Sequence, residues 1–423
     1  MHYLAAMWDG GGTVPVEVGV VRRLLARGHT VTVLGDPTIA PDLAGTGAEF
    51  RSWVRAPHRV STAREDDVFK DWEVLRNPPA LLGRLRDRLV TGPAAAQAAD
   101  VREALATRPA DAVVANAALL GAMVGAESLG VPFAVLSPNV YSRPAPGLPP
   151  FGSGLRPARG PAGRLRDRAL TGLVDRLWNR GLPDLDAARA GVGLGPLPSV
   201  WAQWDRAARV LVLTSAVFDL PAELPDGVRY VGPVLDDPAW AEPVEPPAGD
   251  GPLVAVGLSS TWMRQEDVLR RIVAALASLD VRAVVTTGPA VDPAEVPGSG
   301  RIAVVRSASH AQLFERADAV VTHAGHGTLV RALAAGVPAV CLPMGRDQRD
   351  NVVRAARHGA VVGLPARASS GRIAAAVRQV LTDPAYRRGA RALGARLRAD
   401  AAGTALVDEL EAVARRRVVP RPA

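Results

Sequence analysis

The chain has 423 residues, of which 48% are hydrophobic, a formal net charge of +8 and one cysteine. That length predicts two domains of about 200 residues each, without an intrachain disulfide and without the run of ~18 apolar residues that spans a bilayer. The positive charge does not imply nucleic acid: the excess is dispersed arginine, aromatic residues are only 4%, and Lys70 is the lone lysine, so base-stacking platforms and a basic tail are both missing.

In chain order, apolar runs without alternation predict strands at 3–8, 30–34, 112–115, 133–136 and 209–213, with helices over 16–27 and 119–129. Such runs separated by amphipathic helices read as a parallel sheet covered on both faces. The segment 1–8 reads as a first strand rather than a signal peptide. Together with the lone Cys341 in an apolar segment, this predicts a cytoplasmic protein. A proline- and glycine-rich stretch over 139–161 is long enough to be a lid or binding wall. A basic amphipathic helix is expected over 164–178. The region 233–252 is rich in proline and reads as a linker. Alternation then restarts, with strands at 253–258, 282–287, 302–305, 319–322 and 337–342. Helices are expected at 266–279, 312–316 and 351–358, and again from 371 to about 416. The fold class is α/β, two doubly wound parallel-sheet domains facing across a cleft, with ligands at the carboxyl ends of the strands.

The most informative segment is 323–328, His-Ala-Gly-His-Gly-Thr, between a predicted strand and a predicted helix. A glycine turn there presents backbone N–H groups and the positive end of a helix dipole to an anion. Gly325 and Gly327 let phosphate oxygens approach, and His323 adds a donor; His326 reads as structural, packed at the helix start. The loop carrying Ser259, Ser260 and Thr261 offers hydroxyls to phosphate, or else caps the next helix. Asp347 and Gln348 supply a carboxylate and an amide suited to sugar hydroxyls. Diphosphate and sugar together indicate a nucleotide sugar. Gly10, Gly11 and Gly12 follow the first strand, but their spacing is not that of a dinucleotide fingerprint, although Asp36 does follow the second strand.

Residues 322–351, read with Phe218-Asp-Leu-Pro and Val228-Arg-Tyr-Val-Gly-Pro, resemble the nucleotide-sugar glycosyltransferases of the GT-B fold. That family includes UDP-glucuronosyltransferases, plant secondary-metabolite transferases and the actinobacterial enzymes that decorate antibiotics. The resemblance implies an acceptor-binding domain over 1–232, the linker 233–252, and a nucleotide-sugar domain over 253–423 whose terminal helices pack back on the first. It implies that His323 and the backbone of Gly325, Gly327 and Thr328 bind the diphosphate, that Asp347 and Gln348 hold the sugar, and that Ser307 and His310 flank the base. The implied reaction is metal-free displacement with inversion, using a UDP- or dTDP-sugar as co-substrate and no resident cofactor.

Three positions depart from the family. Thr13 stands where most members carry the histidine that deprotonates the acceptor, and Asn116 where an aspartate polarises it. Arg331 replaces the ribose-binding glutamate, which weakens any preference for UDP over dTDP. A carboxylate or histidine on the cleft rim is then expected to serve, among Asp9, Glu17, His58, Glu65, Asp66 and Asp67, with Asp9 favoured because it shares a loop with Thr13; its other reading is a turn-former. Alternatively the acceptor needs little base help. Trp8, Trp53, Phe69, Trp72, Met123 and Tyr141 are the expected wall for a hydrophobic small-molecule acceptor. The expected partners are that acceptor and the nucleotide sugar, with no nucleic acid and no integral membrane contact; a homodimer is compatible with the sequence. A non-catalytic auxiliary protein and a nucleotide-sugar 2-epimerase are the competing readings.

Overall fold

A computed structural model of the chain describes residues 1–74 and 77–416. The first sheet holds β1 (His2–Ala6), β2 (Thr30–Gly35), β3 (Glu49–Ser52), β4 (Ala112–Asn116), β5 (Phe133–Ser137), β6 (Arg209–Val212) and β7 (Val228–Tyr230), in the order β3-β2-β1-β4-β5-β6-β7. The second holds β8 (Leu253–Gly257), β9 (Arg282–Thr286), β10 (Ile302–Val305), β11 (Ala319–Thr322), β12 (Ala339–Cys341) and β13 (Val361–Gly363), in the order β10-β9-β8-β11-β12-β13. Every strand pair is parallel.

Burial on both faces explains why these strands read as unbroken apolar runs. Along β1, Leu4 and Ala6 enter one core while Tyr3 and Ala5 enter the core on the opposite face. Along β8, Val254 and Val256 enter one core and Leu253 and Ala255 the other. Helices supply the outer wall of each layer. The helix Val14–Ala26 is buried over most of its circumference, and Gly19 on it lies against the linker, where a Cβ would come within 2.4 Å of Val234.

The order of strands reverses between β1 and β4 and again between β8 and β11. Loops leaving the carboxyl ends of these neighbouring strands diverge and open a crevice. In the first sheet that crevice is rimmed by Gly10–Thr13 and Asn116; in the second, by Leu258–Thr261 and His323–Thr328.

Buried polar contacts tie the two layers together. Asp219 accepts from Arg354 at 2.7 Å, and also from Tyr230 and the Tyr141 amide. His326 meets Thr214 at 3.0 Å and packs edge-on to Phe218, the structural placement its sequence context suggested. The helix Ala405–Ala414 returns to the first layer, where Leu406 and Leu410 join its core and Glu411 pairs with His29 at 3.0 Å. No helix among the described residues is long and apolar enough to cross a membrane.

Candidate active site

β11 ends at Thr322, and the chain turns through Ala324 in the left-handed region, φ 66°, before the helix His326–Ala334 begins with Gly325 as its N-cap. A side chain at Gly325 would meet the His323 imidazole at 2.4 Å, so glycine is what lets this turn close over the ring. The first amides of the helix have no intrahelical acceptor and point outward. His323 is 8% exposed, and burial, reinforced by Arg346, holds its pKa down at about 3. The ring is neutral at physiological pH and acts as a hydrogen-bonding group rather than a cation.

The loop after β12 faces this turn. Asp347 is the N-cap residue of the helix Gln348–Ala356, yet its carboxylate does not cap. It accepts from Asn351 Nδ2 at 2.8 Å, and the same nitrogen donates to the Ala324 carbonyl at 3.0 Å. Asn351 therefore braces the carboxylate against the glycine turn, a role with no local sequence signal. Burial raises the Asp347 pKa. Gln348 is turned inward: its Oε1 accepts from the Met344 and Gly345 amides at 2.6 and 3.0 Å, so it shapes the loop that displays Asp347.

Ser259, Ser260 and Thr261 do not cap the following helix, whose N-cap is Gln265. Ser259 and Thr261 join hydroxyls at 3.1 Å. Above them lies the first layer's glycine loop: a Cβ on Gly11, φ 71°, would stand 2.5 Å from Thr261 and 2.9 Å from Ser260. The Gly12 carbonyl likewise lies 3.6 Å from where a Gly327 Cβ would be. Thr13 follows directly on the glycine loop that meets these two loops, with its hydroxyl buried toward Gly10.

Deeper in the second layer, His310 stacks on Phe314 at 4.7 Å under Gly257, and burial lowers its pKa to about 4. Ser309, rather than Ser307, caps this helix and also donates to Asp237 at 2.8 Å. Arg331 is 9% exposed, and its side chain makes no hydrogen bond or ion pair among the described residues. A buried guanidinium lacking a protein acceptor is costly unless an anion meets it.

On the acceptor side, several expectations are revised. Asp9 is fully engaged: its oxygens accept from the Gly11 amide, Thr38 and Arg59 at 3.0, 2.9 and 3.2 Å. It holds the turn, and three protein donors already compete for its two oxygens. Asp66 accepts from Ser61, and Asp67 from the Phe69 and Lys70 amides, so both shape their own loop. Trp53 donates to the Met7 carbonyl at 2.9 Å, and Trp53, Met123 and Tyr141 are core residues exposed by 3% or less. Apolar residues near strand ends look alike in sequence whether they line a cleft or fill a core. Phe69 and Trp72 do reach the interlayer boundary, against Arg346 and Trp262 respectively. Trp8 packs partly buried against the first core, its indole nitrogen without a partner. Glu17, one of the carboxylates expected on the cleft rim, is instead buried beside Asn116, which donates its side-chain amide to it. Among the described residues, no three His, Cys, Asp or Glu side chains are gathered to hold a metal ion.

Two parallel-sheet layers, with a glycine turn after His323 facing a carboxylate, have the form of a GT-B sugar transferase, and the chain belongs to the family of natural-product glycosyltransferases. It is 31% identical to the 4'-demethylrebeccamycin synthase of Lentzea aerocolonigenes, over 97% of this chain and 98% of that one. Residues 270–413 match the family described as erythromycin biosynthesis protein CIII-like, C-terminal domain. Among solved structures, the calicheamicin glycosyltransferase CalG4 superposes with a TM-score of 0.74 at 22% identity, covering 97% of this chain and 98% of its own. The glycosyltransferase VinC in complex with dTDP superposes at 0.71 and 18% identity, covering 98% and 99%.

Proposed function

We propose that this glycosyltransferase moves a sugar from a UDP- or dTDP-sugar to a hydrophobic small molecule, by direct displacement at the anomeric carbon with inversion. The observation that carries the reading is the convergence of His323, the free amides of Gly325–Thr328 and the hydroxyls of Ser260 and Thr261 on one crevice facing Asp347. As the bond to the leaving diphosphate breaks, negative charge grows on its oxygens. Oriented amides, a neutral imidazole and the helix dipole stabilise that charge without reorganising. Arg331 adds donors near the nucleoside. Because an arginine cannot accept from a ribose 2′-hydroxyl, its presence removes a reason to prefer UDP over a 2′-deoxy nucleotide such as dTDP. Asp347, braced by Asn351, holds sugar hydroxyls, and Ser307 and His310 flank the base. Phe69, Trp72 and Trp8 favour an apolar, aromatic acceptor.

The test is nucleoside diphosphate release from dTDP-glucose and UDP-glucose by wild type, His323→Ala and Asp347→Ala, with circular dichroism as a control. Both variants are expected to keep the fold and lose turnover; wild-type rates in both would contradict the donor-site assignment. A second reading, a non-catalytic partner of another transferase, is favoured by the neutral Thr13 and Asn116. Turnover by the purified chain alone excludes it.

A further inference from the structure

With Asp9 tied down, the acceptor proton needs another destination. We propose that Glu17 is the terminal proton acceptor of the transfer reaction, reached from the acceptor hydroxyl through the hydroxyl of Thr13. This inference rests on the reading of the cleft given above and adds to it the residues that replace the missing base pair.

Three observations carry it. Thr13 and Glu17 are one helical turn apart on the same face, since the Glu17 amide donates to the Thr13 carbonyl at 3.0 Å; Cβ atoms so spaced lie about 5–6 Å apart. Each carries a buried oxygen with no hydrogen-bond partner among the described residues, Oγ1 of Thr13 and Oε2 of Glu17, so the two are not bonded to each other here and the relay closes when the Thr13 side chain turns toward Glu17. Finally, the other Glu17 oxygen is gripped by Asn116 Nδ2, while Asn116 Oδ1 is fixed by the Ala118 amide at 2.9 Å. The amide of Asn116 cannot polarise a histidine as a carboxylate would, but it can orient a carboxylate. Exchanging the residue at 13 for a hydroxyl and that at 116 for an amide makes chemical sense once an acid stands one turn further along the helix.

The surroundings suit the role. Glu17 is 1% exposed, and beyond Asn116 its neighbours are apolar side chains from β1, β4, β5 and its own helix, among them Met7, Val20, Val114 and Leu136. That burial pushes its pKa up to about 8, while the Asn116 hydrogen bond pulls the other way. A base with a pKa near the working pH is effective. Glu17 cannot touch an acceptor itself. Thr13 stands nearer the cleft, next to the glycine loop that lies against the donor loops of the second layer, and its hydroxyl meets an acceptor once the side chain turns out of its buried position. In the step, the acceptor oxygen bonds to the anomeric carbon as the carbon–oxygen bond to the diphosphate breaks. The acceptor proton passes to Thr13 Oγ1, whose own proton passes to Glu17 Oε2. The products are the glycoside, the nucleoside diphosphate and a protonated Glu17 that later releases its proton to solvent.

The experiment measures dTDP and UDP release from their glucose conjugates by wild type, Glu17→Gln, Thr13→Ala and Thr13→Ser. Acceptors are water, 4-methylumbelliferone and phenols of graded acidity, and binding of dTDP and UDP is measured calorimetrically in parallel. Glu17→Gln keeps the shape and the Asn116 contact, so nucleotide affinity is expected to stay within about twofold while kcat falls by about 10²-fold or more, the usual worth of a general base. Thr13→Ala should match it, and Thr13→Ser should recover most of the rate. The loss should shrink as the phenol becomes more acidic, a trend that a purely structural Glu17 does not produce. Wild-type kcat in Glu17→Gln, or in Thr13→Ala, overturns the relay. Failure of the wild-type chain to bind either nucleotide would instead overturn the donor-site reading.

Discussion

Asp219, on the loop between β6 and β7, and Arg354, on the helix Gln348–Ala356, form an ion pair at 2.7 Å in which neither side chain is more than 4% exposed. It is one of the buried contacts that tie the two sheets together, and Asp219 also accepts from Tyr230 and from the Tyr141 amide. A buried pair stripped of one partner leaves a charge without compensation. Asp219→Ala is therefore expected to cost about 3–5 kcal/mol in urea unfolding and to reduce turnover, because the loops on either side of the cleft lose alignment. A stability change below about 1 kcal/mol would show that the pair does not carry this load.

Gly11 is where the glycine loop after β1 meets Ser260 and Thr261. Its φ of 71° is left-handed, and a Cβ there would lie 2.5 Å from Thr261. Gly11→Ala is expected to cost about 1–2 kcal/mol from backbone strain alone. The displaced loop should lower kcat by roughly 10²-fold, the scale of a misplacement of about an ångström. Thermal melting and steady-state rates check both. By contrast, Gly172 lies in the helix Gly160–Asn179 with open space where its Cβ would go, so Gly172→Ala should leave rates unchanged.

Much of this arrangement was legible in the residues, and the rest was not, for a physical reason. β10 and β11 begin and end where their apolar runs do, because strands buried on both faces have no polar positions to blur the pattern. β3 was not anticipated: it is an edge strand, half-buried throughout, with glutamate, arginine and serine in four residues. The helix expected over 351–358 starts earlier, at Gln348, because the Asp347 and Gln348 that signalled sugar binding also begin a helix. The His323 turn announced itself through local spacing. What stayed hidden are contacts between distant parts of the chain: Asn116 with Glu17 across 99 positions, Asp219 with Arg354 across 135, and Asp350 gripping the amides of Gly152 and Gly154 at 2.7 Å from nearly 200 positions away.

That last clamp fixes the proline-rich stretch of the first layer to the second. Asp350→Ala should free it, raising the rate of limited proteolysis within 139–161 by about tenfold or more, since two charge-assisted hydrogen bonds of roughly 1.5 kcal/mol each are lost. An unchanged cleavage rate would mean that other contacts hold the stretch.

The buried acid leaves a signature in stability as well. Glu17 has an ordinary pKa of 4.5 and is pushed up to about 8 by burial. A carboxyl whose folded pKa is raised lends its stability below the unfolded value and loses it as the pH climbs toward the folded one. Wild type should therefore weaken between about pH 4.5 and 8, by up to roughly 1.4 kcal/mol per unit. Glu17→Gln should lack this component, so its advantage in melting temperature over wild type grows from pH 5 to pH 8. His310, His323 and His326 are held low by burial and pull stability down as the pH falls below about 6.5, but they are common to both proteins and cancel in the comparison. Parallel melting curves across that range would place Glu17 in water rather than in the core.

The most direct measurement is calorimetric titration of the wild-type chain and His323→Ala with dTDP and with UDP. Wild type is expected to bind at least one of them, with UDP holding no clear advantage over dTDP if Arg331 takes the place of the family's ribose-binding glutamate. Removing the imidazole should weaken binding by at least tenfold, the worth of one hydrogen bond to a charged oxygen at about 1.5–3 kcal/mol. Binding of neither nucleotide by wild type, or equal affinity in the two proteins, would contradict a diphosphate seated against His323 and the amides of the glycine turn.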